Sequence, residues 1–252
     1  MRTDRLVPLF LAGLVGSASD APAQQTKVTG AVTGVFSNVC HLHSRRSTWR
    51  GQTWNNGSAI LYRGRYLITA AHNVYSIPSS KVMSVIAACG QSEAPEAAHF
   101  TIDLSQVRVA AGYRWVPRKR FSRDFAVIRL SAPLPGETAV ELFPGDLSPD
   151  PLPIELAGFP GREDERDGMN GWRMFKGKGI ATPERGKPFL NYDFDSEKGN
   201  SGGPVWTMAG TVPVLVGIHV RGSGARIVDQ FFRDEVNRMI GELERRPAPE
   251  PN

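Results

Sequence analysis

Cysteine is scarce: only Cys40 and Cys89 occur in 252 residues, which excludes a disulfide-dense mini-scaffold and a thiolate-rich metal cluster. Cys40-His41-Leu42-His43 looks like a fragment of a metal site, but no further ligands stand at recognisable spacing, and no metal or other cofactor is expected. Beyond the first residues no apolar run approaches the ~20 residues that a membrane helix needs. No repeat with readable identity is present, which argues against a solenoid or propeller. Charge of one sign is lacking too. Lys and Arg total 30 against 25 Asp and Glu, and the clusters at Arg45-Arg46, Arg50, Arg114 to Arg123 and Arg173 to Lys178 alternate with Glu163-Asp164-Glu165 and Glu242-Leu243-Glu244. That mixture describes a solvated surface rather than a nucleic-acid face.

What is present converges on one serine. Gly199-Asn200-Ser201-Gly202-Gly203-Pro204-Val205 sets a hydroxyl among glycines ahead of an apolar, strand-like run. A serine becomes a nucleophile only beside a base, a group that orients the base, and donors for the oxyanion. Glycines permit the positive-φ turn through which Gly199 and Ser201 can present N–H groups to one point. Tyr66-Leu67-Ile68-Thr69-Ala70-Ala71-His72 delivers an imidazole to the end of a buried strand, and Asp124-Phe125-Ala126-Val127-Ile128-Arg129-Leu130 puts a carboxylate at the mouth of another. His72, Asp124 and Ser201 therefore form a candidate triad in the chain order His, Asp, Ser. A core histidine, a capping aspartate and a turn serine are the bland alternatives for the three taken singly. The G-x-S-x-G elbow of esterases is absent.

On these motifs the chain, from about residue 30 to 245, resembles a trypsin-fold serine peptidase, and within that clan the glutamyl endopeptidase (V8-like) branch. The resemblance is carried by Thr69-Ala70-Ala71-His72, Asp124 to Ile128, Gly199 to Val205, Gly217-Ile218-His219, Gly158-Phe159-Pro160-Gly161 and Tyr192-Asp193. It implies an all-β fold of two packed six-stranded antiparallel β-barrels with a C-terminal α-helix. It also implies that peptides bind as an added strand along Val220 to Gly222, and that Gly199 and Ser201 N–H groups hold the oxyanion.

The resemblance places His219, assisted by Ser196, where a substrate glutamate is received, with Lys198 and Arg221 at the rim favouring acidic substrates. Against this stands Asp195, six residues before Ser201, where trypsins keep the acid that binds Arg or Lys. The expectation is cleavage after Glu or Asp, with tryptic preference as the alternative. A silent trypsin-fold binding module is the alternative of another kind. Asn200 replaces the aspartate that pairs with a freed N-terminus in trypsin-like zymogens, so that ion pair cannot form; a pro-segment could end anywhere from Gln24 to Val35.

Arg2 and Arg5, the apolar stretch Leu6 to Val15 and Ala21-Pro22-Ala23 have the layout of an export signal, residues 1–23. The expected product is a monomer, secreted or periplasmic and free of the membrane once cleaved, with protein or peptide substrates and no nucleic acid. There Cys40 and Cys89 are expected to pair, with two separate buried thiols as the alternative. Residues 24–135 are read as the barrel with His72 and Asp124, and 136–226 as the barrel with Ser201, linked near Ala132-Pro133-Leu134-Pro135-Gly136. Strands are expected at Ala59 to Tyr62 and Tyr66 to Ile68, turning at Arg63-Gly64-Arg65, and at Val82 to Ala87, Phe100 to Leu104, Val107 to Ala110, Ile154 to Gly158, Phe189 to Phe194, Pro204 to Thr207 and Val212 to Val220. Helical spacing of Ile227, Val228, Phe231, Phe232, Val236, Met239, Ile240 and Leu243 predicts a helix over 227–246, and 247–252 a frayed tail.

Overall fold

The computed structural model describes residues 24–77, 79–95, 98–113, 120–134, 139–161 and 171–247. The signal reading of 1–23, the tail from residue 248, Pro135-Gly136 and Glu163-Asp164-Glu165 lie outside the described residues. In chain order the elements are β1 (Thr26–Lys27), β2 (Val39–Thr48), β3 (Gly51–Tyr62), β4 (Tyr66–Thr69), a one-turn helix α1 (Ala71–Val74), β5 (Ser80–Cys89), β6 (Phe100–Ile102), β7 (Val107–Val109) and β8 (Ala126–Arg129). They continue with β9 (Glu141–Leu142), β10 (Leu152–Gly158), β11 (Phe175–Pro183), β12 (Phe189–Tyr192), β13 (Pro204–Ala209), β14 (Val212–Arg221), β15 (Gly224–Ile227) and α2 (Gln230–Glu244).

The strands form two sheets, as expected of a trypsin-like fold, antiparallel except where β9 pairs parallel with β14. The second closes on itself: β11, β10, β13, β14, β15 and β12 follow one another, and β12 pairs back to β11. The first runs β6-β5-β2-β3-β4-β8-β7 and curls without pairing its two ends, so its seven strands make an open half-barrel. The short segment β1 departs from the expected partition, because it adds to β11 in the second sheet.

The strands bearing the site are buried throughout because both of their faces are covered. In β3, β4 and β8, Leu61, Leu67 and Ile128 point into the hollow of the first sheet, while Ile60, Ile68 and Val127 point into a core shared with Trp206 and Ile218 of the second sheet, with Phe159 just past β10, and with Phe232, Val236 and Met239 of α2. A period of two with apolar residues on both faces gives the unbroken hydrophobic runs seen in the sequence. The hairpin turn falls where expected: Tyr62 pairs with Tyr66, and Arg63 and Gly64 both take positive φ.

Three stretches differ from the sequence reading. Residues Val39–Thr48, read partly as a metal fragment and partly as a basic patch, form β2, flanked by β3 and β5. Phe175–Pro183, begun inside a basic cluster, forms β11. The helix starts at Gln230 rather than residue 227, because Ile227 closes β15 opposite Gly217 of β14 and Asp229 caps α2 by accepting from Phe232 N–H at 2.8 Å. The Cys40–Cys89 disulfide is formed, joining neighbours on β2 and β5. No helix of the described residues is long and apolar enough to cross a membrane.

Candidate active site

His72 sits on α1, the single turn that ends the buried β4 strand. Its backbone N–H donates to Asp124 Oδ1 at 2.9 Å and its Nδ1 bonds Asp124 Oδ2 at 2.7 Å, so one carboxylate fixes both the backbone and the ring. Asp124 is 1% exposed, whereas the His72 side chain is 34% exposed, leaving the ring reachable from solvent and its orienting group sealed. At the other end of the turn, Arg46 of β2 donates to His72 O and, at 3.2 Å, to Tyr75 O. Arg46 is thus buried, and not part of the solvated patch inferred from its Arg45 neighbour.

The Ser201 loop is tied to the same turn. Asn73, beside His72, donates through Nδ2 to Ser201 O at 2.7 Å. Ser58 of β3 donates its backbone N–H to Ser201 O at 2.7 Å and its hydroxyl to Gly199 O at 2.8 Å, while accepting from Phe159 N–H at 2.9 Å. Asn73 and Ser58 were missed in the sequence. Their signals, an amide next to the candidate base and a serine opening an apolar run, are too common to stand out.

The N–H groups of Asn200 and Gly203 are bonded within the loop to Glu197 O and Asn200 O, and that of Gly202 to His219 O of β14. Those of Gly199 and Ser201 have no acceptor among the described residues. Gly199 has φ +103°, and a Cβ there would lie 2.4 Å from Phe159 O. No hydrogen bond joins the Ser201 hydroxyl to His72 among the described residues. Such contacts are often long before substrate arrives.

His219, on β14, is 2% exposed and engaged on both ring nitrogens. The Ser196 hydroxyl donates to Gly222 O, so its oxygen, 2.9 Å from His219 Nε2, accepts there. Nε2 therefore carries the hydrogen, and Nδ1 accepts from the Tyr192 hydroxyl. Burial, with His72 adding to it, pushes His219 down to about 3, and burial raises Tyr192 well above its ordinary value, so both stay neutral at neutral pH. Lys198 is exposed, Asp195 is exposed, and Arg221 lies 3.3 Å from Glu184 and over the Phe189 ring. Val220 and Arg221 continue β14 past Ile218, the last residue it pairs with β13, and Gly222 opens the turn that follows.

His99 joins His41 and His43, with His41 Nδ1 2.8 Å from His99 Nε2 and Trp172 packed on all three rings. Among the described residues no group of three or more His, Cys, Asp or Glu is disposed to hold a metal ion.

Residues 57–218, more than half of the chain, match the trypsin-like peptidase domain family. The chain belongs to this family. The fold of this trypsin-like domain is shared with solved structures of low identity. A Glu endopeptidase in complex with MPD has TM-score 0.67 at 17% identity, over 87% of this chain and 97% of that one. The protease Anisep from Arthrobacter nicotinovorans has TM-score 0.61 at 13% identity, over 84% and 99%. An inactivated protease paralogue of the scabies mite has TM-score 0.62 at 12% identity, over 85% and 100%. No curated protein matches the chain.

Proposed function

We propose that this trypsin-like domain is an exported serine endopeptidase that cleaves after Glu, and after Asp less well. The observation that carries the reading is the double hold of Asp124 on His72, on a turn whose Asn73 grips the Ser201 carbonyl. His72 takes the Ser201 proton as the hydroxyl attacks the peptide carbonyl, and Asp124 keeps the tautomer and stabilises the imidazolium. The free N–H groups of Gly199 and Ser201 receive the oxyanion. The leaving amine takes the proton from His72, and water activated by the same ring hydrolyses the ester on Ser201. Extended substrate adds as a strand along Val220 to Gly222.

For specificity, the neutral His219 Nε2–H and the Ser196 hydroxyl, which meet Ser196 Oγ and Gly222 O in the free chain, turn to a substrate carboxylate when it arrives, with the charge of Lys198 nearby. Arg221 is partly occupied by Glu184, which reduces its share. The exposed position of Asp195 weighs against tryptic preference, which requires a carboxylate at a pocket floor. Removal of 1–23 and release outside the cytoplasm agree with the Cys40–Cys89 disulfide. A silent binding module is the second reading, favoured by the missing Ser201–His72 bond and by the likeness to an inactivated paralogue.

The test is cleavage of a mixed peptide library read by mass spectrometry, with Ser201→Ala as control and fluorophosphonate labelling in parallel. Cuts after Glu, lost in Ser201→Ala and in His219→Ala, are expected. Cuts after Arg or Lys would transfer the pocket to Asp195, and folded protein with neither label nor cuts, both from Gln24 onward and after stepwise trimming to Val35, would establish the silent module.

A further inference from the structure

The stretch ahead of the first sheet is built into the second. Lys27 and Thr26 pair as β1 with Phe175 and Lys176 of β11, Val28 N–H donates to Met174 O at 2.8 Å, and Lys27 Nζ lies 3.2 Å from Glu93. This anchoring drives the side chain of Gln25 inward while Gln24 stays exposed. Gly177 makes the room: a Cβ there would come within 3.2 Å of Gln25 Cγ. Gln25 Oε1 then accepts from Asn200 Nδ2 at 3.0 Å, across 175 residues of chain.

Asn200 immediately precedes Ser201 and has no solvent exposure. Its Oδ1 has no partner among the described residues and faces Gly158, where an added Cβ would lie 2.7 Å from it. The bond to Gln25 is therefore the one hydrogen bond its side chain makes among those residues. A buried carboxamide deprived of it is left unsatisfied at both ends and must turn to find partners. The peptide unit that follows Asn200 carries the Ser201 N–H, and the one that precedes it joins Asn200 directly to Gly199, so a turn at Asn200 re-aims the Ser201 donor and displaces the residue that bears the other.

We infer that Gln25 is a positioning residue: through Asn200 it holds the 199–201 backbone in its receiving arrangement, so the active chain retains Gln25 and trimming past it inactivates. This rests on the reading of Ser201 as nucleophile. It also narrows maturation, since a pro-segment reaching toward Val35 would remove the residue the loop leans on.

The experiment compares the chain from Gln24 onward with Gln25→Met, which keeps length and burial but loses the acceptor, with Gln25→Glu, which keeps an acceptor oxygen, and with a chain starting at Val28. Readouts are kcat and KM on a cleaved peptide and backbone hydrogen exchange over 196–203. Gln25→Met and the shortened chain are expected to lose about 10²-fold in kcat with KM little changed, the scale of a small misplacement in a site. Exchange over 196–203 should rise in both, and Gln25→Glu should regain most of the rate. In an Asn200→Ala background Gln25→Met should add nothing, since both act through one bond. Unchanged kcat and exchange in Gln25→Met, or a chain from Val28 more active than one from Gln24, would overturn the inference. An unlabelled, inactive parent chain would refute the peptidase reading instead, and the exchange comparison would still decide whether Gln25 holds the loop.

Discussion

At the scale of single residues, the site depends on atoms that are absent as much as on those present. Gly199 combines a left-handed backbone with a carbonyl 2.4 Å from where a Cβ would be, so no side chain fits without moving Phe159. Gly199→Ala is expected to lower kcat by about 10²-fold or more, the cost of one oxyanion donor, and to lower Tm as well; a variant with parental kinetics would remove Gly199 from the site. The triad candidates and Gly199 were readable because their motifs are short and local. Ser58, Asn73 and Arg46 were not, since each acts through a backbone carbonyl or N–H supplied by a remote segment.

At the scale of elements, α1 is too short to hold itself. A single turn leaves its terminal carbonyls without helical partners, and Arg46 satisfies two carbonyls here, His72 O and Tyr75 O. Arg46→Met should leave both unpaired in a buried site, at about 1–3 kcal/mol each, and reduce kcat through a looser His72. Arg46→Lys should recover part of both. Denaturant midpoints and peptide kinetics check this, and an Arg46→Met protein as stable as the parent would mean water replaces the guanidinium. The helical stripe of α2 was legible from its period, but its start was not. Ile227 and Val228 fit the stripe by composition, and only the pairing of Ile227 with Gly217 of β14 and the Asp229 cap assign Ile227 to a strand.

At the scale of the whole molecule, the disulfide closes a separation of 49 residues, which in the chain-entropy picture stabilises by roughly 4 kcal/mol. Acid works against the fold. Burial is the main reason that His41 and His219 are pushed down to about 3 and His43 to about 4, from an ordinary 6.5. Between about pH 6.5 and these values the unfolded chain binds protons that the folded chain refuses, so stability falls as pH falls. Thermal unfolding at pH 7 and pH 4.5 should show a lower Tm at the acid end, and His41→Gln should flatten the dependence. A Tm unchanged across that range would show the imidazoles to be solvated.

The sequence by itself determined the all-β class, most of the strand runs and the candidate triad, because buried strands and glycine turns write their constraints into adjacent residues; it was the resemblance to the glutamyl branch, not a local pattern, that put Ser196 with His219. Tertiary structure alone decided that the first sheet stays open, that β1 belongs to the second sheet, that Arg46 is an internal brace and that Gln25 reaches Asn200. Those outcomes depend on hydrogen bonds between segments far apart in the chain, and a polar side chain carries no local mark of which distant carbonyl or amide it will meet.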